Sequence, residues 1–290
     1  MATPGEWVAG MRPRTLPAAL APVLVGCGVA QHEDSFRAVP ALLALIVAVA
    51  FQVGVNFHND YSDGVKGTDD ARVGPVRLVG QGLAPAAAVR SAAILSFAVG
   101  ALAGLALTAV SGLWWLIPVG IASVAAGWFY TGGPRPYGYT GLGEVFVFVF
   151  FGLVAVVGTA AAQTGGVTVL AVVASVPVGL WACDILIANN LRDIPTDRAV
   201  GKNTLAVRLG DRRTRILFVV VLVSGFVTVL AMTTYSPWVL LAMAATVPAL
   251  RPLRAVISGA TGRDLVPALS GTGLVLLVGG LGLAVGLAVS

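Results

Sequence analysis

The chain of 290 residues is 57% apolar and only 11% charged, with a mean hydropathy of +0.91 and a formal net charge of +5. Soluble domains carry about twice that share of charge, so the composition excludes an ordinary soluble domain and indicates a polytopic membrane protein. The two cysteines, Cys27 and Cys183, both fall in apolar runs, which leaves no disulfide framework and no paired-cysteine metal site.

Runs long enough to cross about 30 Å of hydrocarbon occur at roughly 15–31, 38–58, 87–110, 112–130, 143–163, 167–188, 215–233, 236–251 and 265–289. The expectation is therefore an all-α protein of about nine transmembrane helices, forming a single transmembrane domain over 1–290. No charged start, short apolar run and small-residue cleavage site marks a signal peptide, so the first span is expected to stay in the mature protein. Threading the spans in order puts all the basic residues except Arg37 on one side. By the positive-inside rule that side is cytoplasmic, with the N-terminus on it and the C-terminus opposite.

Two polar islands interrupt the apolar pattern on that side. The first is NFHNDYSDGVKGTDDARVGPVRLVGQG at 56–82, the second NNLRDIPTDRAVGKNTLAVRLGDRRTR at 189–215, and together they hold seven of the thirteen acids. Carboxylates near a bilayer are costly, and no topology rule gathers them in loops, so such clusters point to function. Each island follows a long span directly, so each span delivers its acids at a cytoplasmic helix end. Asn59 and Asp63 are four apart and share a helical face, with Asp60 one position round, and Asn189 and Asp193 repeat the spacing. Pro195 is expected to end the second helix, placing Asp197 on the following loop.

Oxygen-only clusters with few carboxylates and no His or Cys suit Mg²⁺, which completes its shell with water and substrate phosphate. Lys66, Arg72 and Arg77 follow the first cluster, Arg192, Arg198 and Lys202 surround the second, and Arg135 lies between them. Such side chains can take phosphate oxygens, although basic residues also belong on the cytoplasmic side for topology alone. Helix-end polar residues serve secondary transporters too, but transporter sites tend toward the midplane, whereas these clusters lie at one face.

RPRTLPAALAPVLVG near the start, NDYSDGVKGTDDARVGPVRLV, YTGGPRPYGYTGLGEVFVFVFFG and NNLRDIPTDRAVGKNTLAVRLG occur in that order along nearly the whole chain. In these four motifs the sequence resembles the UbiA superfamily of intramembrane prenyltransferases. GTDDARVGPVR and the YTGG loop set it with the branch that prenylates 1,4-dihydroxy-2-naphthoate for menaquinone, apart from relatives acting on 4-hydroxybenzoate, homogentisate, chlorophyllide or haem. The resemblance implies nine helices around a central cavity, and polyprenyl diphosphate and 1,4-dihydroxy-2-naphthoate as substrates. It makes Asp60, Asp63, Asp193 and Asp197 the catalytic carboxylates. Asn59, Asp60 and Asp63 would hold one Mg²⁺ ion and Asn189, Asp193 and Asp197 a second. Lys66, Arg72, Arg77, Arg135 and Lys202 would bind diphosphate.

Arg14 and Tyr130 are candidates to orient the aromatic acid, with interfacial anchoring and aromatic-belt packing as their alternatives. Asp184, about one turn inside the sixth span, departs from the family pattern of a small or hydroxyl residue. It is expected to face the cavity or a buried partner, as a contact to the aromatic substrate or an accessory metal ligand.

Overall fold

A computed structural model describes residues 2–67 and 76–290. Asp69, Asp70, Arg72 and Gly74 of the first island lie outside the described residues. Among the described residues every regular element is helical. The N-terminal part comprises α1 (Pro4–Gly10), α2 (Pro17–His32), α3 (Ala38–Val65), α4 (Ala86–Ser111) and α5 (Leu116–Phe129). Next, α6 (Gly143–Val147) passes through a π-helical stretch, Phe148–Val154, into α7 (Ala155–Thr164). The remainder is α8 (Val169–Ala199), α9 (Leu205–Leu209), α10 (Asp211–Ala231), α11 (Thr246–Ile257), preceded by the 3₁₀ segment Pro237–Ala245, and α12 (Val266–Ala288).

Seven helices among the described residues are long and apolar enough to cross a bilayer. The pair Pro4–Thr15 and Pro17–His32, bent by 51°, makes an eighth, and the 14-residue apolar helix Leu116–Phe129 occupies the place of the fourth expected span, 112–130. Large side chains such as Leu42, Leu95, Leu102, Val220 and Leu281 are exposed along these helices. In an integral membrane protein they are the lipid-facing surface.

Two expected boundaries are corrected. Helix α3 continues past residue 58 to Val65, so Asn59, Asp60 and Asp63 all sit on its last two turns. Helix α8 runs through Pro195 to Ala199, so Asp197 is helical and not on a loop. Proline removes one helical hydrogen bond, yet here Leu191 and Ile194 are buried in the core on either side of the Arg192–Asp193 ion pair. That packing outweighs the lost bond. Asn189, Asp193 and Asp197 consequently recur every four residues and share one face.

Without a hydrophobic driving force between helices in lipid, close approach at small residues carries the packing. A Cβ at Gly28 of α2 would lie 2.6 Å from the Ala284 carbonyl oxygen of α12, and one at Gly152 would lie 2.7 Å from Cα of Gly179 in α8. Around Trp181, Phe218, Leu222 and Leu283 these contacts build the main apolar core. The opposite half, between α2, α3, α4, α5 and the α6–α7 span, encloses a cavity of about 1090 Å³. Because the neighbour at Gly28 is backbone and cannot rotate away, Gly28→Leu should lower stability by about 2 kcal/mol or more. A thermal melt in detergent that matches the wild type would show that α2 and α12 do not cross this closely.

Candidate active site

The end of α3 is held against the loop at 131–142. Thr131 Oγ donates to Asn59 Oδ1 at 2.8 Å, and Ser62 Oγ donates to the Thr131 carbonyl at 2.7 Å. Lys66 Nζ donates to the same carbonyl at 2.7 Å and to that of Gly133 at 3.4 Å. Burial lowers the Lys66 ammonium from its ordinary range, and the nearby charge of Lys202 adds to the effect. Asp60 is turned toward the far end of its own island. Its two oxygens accept the main-chain N–H groups of Leu78 at 2.6 Å and Val79 at 3.1 Å, fixing Arg77, itself buried, beside α3.

Asp63 is where the motifs meet. One oxygen accepts from the Tyr139 hydroxyl at 2.6 Å, and the other lies 3.3 Å from Lys202 Nζ of the second island. The Tyr139 ring also receives both ammonium groups, Lys202 at 4.6 Å and Lys66 at 5.3 Å from its centroid. Tyr139 is tied to the second island from behind, since its carbonyl accepts the Asn203 N–H at 3.0 Å. Among the described residues this cluster joins two ammoniums, one carboxylate and an electron-rich ring, with Asp63 and Lys202 buried, Tyr139 half-buried and Lys66 exposed, and it suits an incoming anion.

On α8, Arg192 forks onto Asp193, with Nε 2.6 Å from Oδ1 and a terminal nitrogen 2.7 Å from Oδ2. The same guanidinium donates to Asn189 Oδ1 at 2.8 Å. Asp197 is buried, and its carbonyl accepts the Lys202 N–H at 2.8 Å, which shapes the turn that carries Lys202 back to Asp63. Among the described residues no three His, Cys, Asp or Glu side chains converge as a metal site. Each motif offers carboxylates together with asparagine oxygens.

The cavity opens beneath this cluster. Its polar end is formed by Asn59, Asn56 and Gln52, spaced along one face of α3, and its wall includes Trp128, Tyr130 and Phe150. Tyr137 stacks on Phe146 at 3.9 Å and donates its hydroxyl to the Ala126 carbonyl, and burial raises its phenol above the usual range. Of the aromatic-substrate candidates, Tyr130 lines the cavity, while Arg14 is exposed on the turn before α2 and does not. Asp184 is fully buried, does not line the cavity and has no hydrogen-bond partner for either oxygen. It shares a side of α8 with Trp181, whose ring packs where Gly225 and Gly279 leave room. Arg135 is exposed on the 131–142 loop. Tyr139, Thr131 and Thr15 were not singled out from sequence, because hydroxyl residues in an aromatic, glycine-rich loop or a proline-rich turn give no periodic signal.

The class that these features define is a helical membrane protein with two Asn/Asp-bearing islands joined through Asp63 and Lys202, the first reaching the polar end of an apolar cavity at Asn59. The chain matches the UbiA prenyltransferase family over residues 19–264 and belongs to it. It is 51% identical over 288 residues to the 1,4-dihydroxy-2-naphthoate octaprenyltransferase of Mycobacterium tuberculosis, covering 99% of this chain and 98% of that one. The fold matches a UbiA homolog from Aeropyrum pernix K1 with a TM-score of 0.69 at 14% identity, over 89% and 94% of the two chains. It also matches a UbiA homolog from Archaeoglobus fulgidus bound to GPP and Mg²⁺, with a TM-score of 0.62 at 13% identity over 96% and 99% of the chains.

Lys202→Met removes a buried ion pair with Asp63 and should cost about 3 kcal/mol. Tyr139→Phe, which keeps the ring and loses one hydrogen bond, should cost about 1 kcal/mol. Equal melting points for the two variants would refute that ordering.

Proposed function

We propose that this protein transfers a polyprenyl group from polyprenyl diphosphate to 1,4-dihydroxy-2-naphthoate, releasing diphosphate and CO₂ and giving demethylmenaquinol for menaquinone synthesis. The observation that carries the reading is the meeting of both Asn/Asp motifs through Asp63, Tyr139 and Lys202 at the polar end of a large apolar cavity. The naphthoate acceptor rests on the full-length similarity to the Mycobacterium tuberculosis enzyme of that name.

The donor set is all oxygen and suits Mg²⁺. Asn59 and Asp63 in one motif and Asn189, Asp193 and Asp197 in the other would hold it, one ion for each. Asp60 joins through the lone pairs left by its two main-chain hydrogen bonds. Lys202 and Arg192 already neutralise the carboxylates where a divalent ion would act, so the sites fit a cation. When bound, Mg²⁺ supplies Lewis-acid neutralisation of the diphosphate.

The chain's own residues do the rest. Lys66, Arg77 and Lys202, with Arg72 and Arg135, receive the charge that grows on the departing diphosphate as the allylic C–O bond breaks and its electron pair leaves with oxygen. The allylic cation is left among apolar side chains that exclude water and so suppress its hydrolysis. A ring carbon of the naphthoate donates an electron pair to form the new C–C bond. The electron pair of the bond to the carboxylate then returns to the ring as CO₂ departs. Tyr130 and the aromatic cavity wall hold the ring flat beside the reacting carbon. The whole chain acts as one prenyltransferase unit in the cell membrane, with this site on the cytoplasmic side where the basic residues concentrate.

Purified protein in detergent, given 1,4-dihydroxy-2-naphthoate, a polyprenyl diphosphate and Mg²⁺, should form prenylated naphthoquinol. EDTA should abolish product, and Asp63→Ala should reduce it at least about a hundredfold. Diphosphate released without naphthoquinol would move the acceptor to 4-hydroxybenzoate or homogentisate. No diphosphate release at all would sink the prenyltransferase reading.

A further inference from the structure

Deeper in the cavity than the diphosphate-facing cluster, three polar side chains are locked together. Thr15 Oγ donates to the Arg12 carbonyl at 2.9 Å. It accepts from Gln52 Nε2 at 2.8 Å and from Asn56 Nδ2 at 2.9 Å. A threonine hydroxyl has one proton and two lone pairs, so all of its capacity is used. Asn56 Nδ2 also donates to the Met11 carbonyl at 2.9 Å, committing both of its protons.

The orientation that keeps every one of these bonds places the Gln52 amide nitrogen on Thr15; turned over, its oxygen would have to take the hydroxyl proton from the Arg12 carbonyl. The Gln52 carbonyl oxygen is thereby directed away from Thr15, and it is buried with no hydrogen-bond partner. Yet Gln52 borders the cavity, whose other walls near it, Val55, Phe51 and Ala48, are apolar. A dry acceptor with nothing to accept is a standing penalty, and one fixed by three other bonds in a substrate cavity is relieved when a donor enters.

We propose that Gln52 binds the aromatic acceptor, its carbonyl oxygen receiving the proton of a ring hydroxyl. The inference rests on the function proposed above and names the chemistry by which the cavity selects its second substrate. Asn56 has both amide protons committed and Gln52 one of its two, so the Gln52 carbonyl oxygen is the buried group left without a partner, and a phenolic donor satisfies it. Gln52 stands seven residues before Asn59 on α3, about 10 Å of helical rise. That depth leaves room for a bicyclic ring between the amide and the carbon that reacts.

The test compares inhibition by 1-hydroxy-2-naphthoate and by 4-hydroxy-2-naphthoate, each lacking one hydroxyl, with the KM for 1,4-dihydroxy-2-naphthoate. In the wild type the loss of one of the two hydroxyls should weaken binding about tenfold. Gln52→Met should erase that difference by raising the KM of the dihydroxy acceptor about tenfold, with kcat and the KM for polyprenyl diphosphate unchanged. Thr15→Val, which unpins the amide without altering side-chain size, should erase part of the difference and covers the case of a poorly folded Gln52→Met. Unchanged discrimination in both variants, or equal shifts in the KM of both substrates, overturns the proposal. Wild-type protein that forms no naphthoquinol at all would instead overturn the function proposed above.

Discussion

The architecture depends on the way Asp63 is neutralised. A carboxylate at the edge of a membrane is tolerated only with a partner, and here two partners come from other segments, Tyr139 of the 131–142 loop and Lys202 of the second island. One side chain therefore determines where three stretches of chain, far apart in sequence, come together. Among the described residues Lys66 and Lys202 share the Tyr139 ring with a single carboxylate between them, an arrangement that a diphosphate complements.

Beneath that cluster the requirements reverse. The cavity has to keep water from a cation, and its walls are almost wholly apolar. The chain separates the two needs by helix length: α3 and α8 extend beyond what a bilayer requires, 28 and 31 residues against about 20. The surplus turns carry every Asn and Asp of the two motifs, while the turns of α3 that border the cavity keep to apolar and amide side chains. The half of the molecule around Trp181 is packed at glycines, which leaves the opposite half free to stay hollow.

Much of this was legible in the sequence, for definite physical reasons. Apolar runs report spans because lipid satisfies no backbone group, and acids report a site because lipid satisfies no charge. Asn59, Asp63 and Asn189 could be placed on helix faces from spacing alone. What misled was local propensity: Pro195 reads as a stop, but buried Leu191 and Ile194 and the Arg192–Asp193 pair hold α8 helical beyond it. Asp184 reads as a site residue because it is an acid in a span, and nothing in a linear pattern says that it faces the Trp181 side, away from the cavity. Tyr139 and Thr15 escaped notice because their importance lies wholly in contacts with residues tens of positions distant. Asp60 stood out as an acid, and its present partners, the amides of Leu78 and Val79, carry no side-chain identity to read.

The bent N-terminal pair has a consequence for assembly. The Met11 carbonyl and the Thr15 hydroxyl precede α3 in the chain, yet the amide nitrogens that donate to them, on Gln52 and Asn56, belong to a helix synthesised some forty positions later. The hook ahead of α2 can therefore settle only after α3 has entered the membrane beside it. Biogenesis of the cavity is thus posed as a closure problem: the segment ahead of α2 gains its amide partners only on the arrival of α3, which latches it.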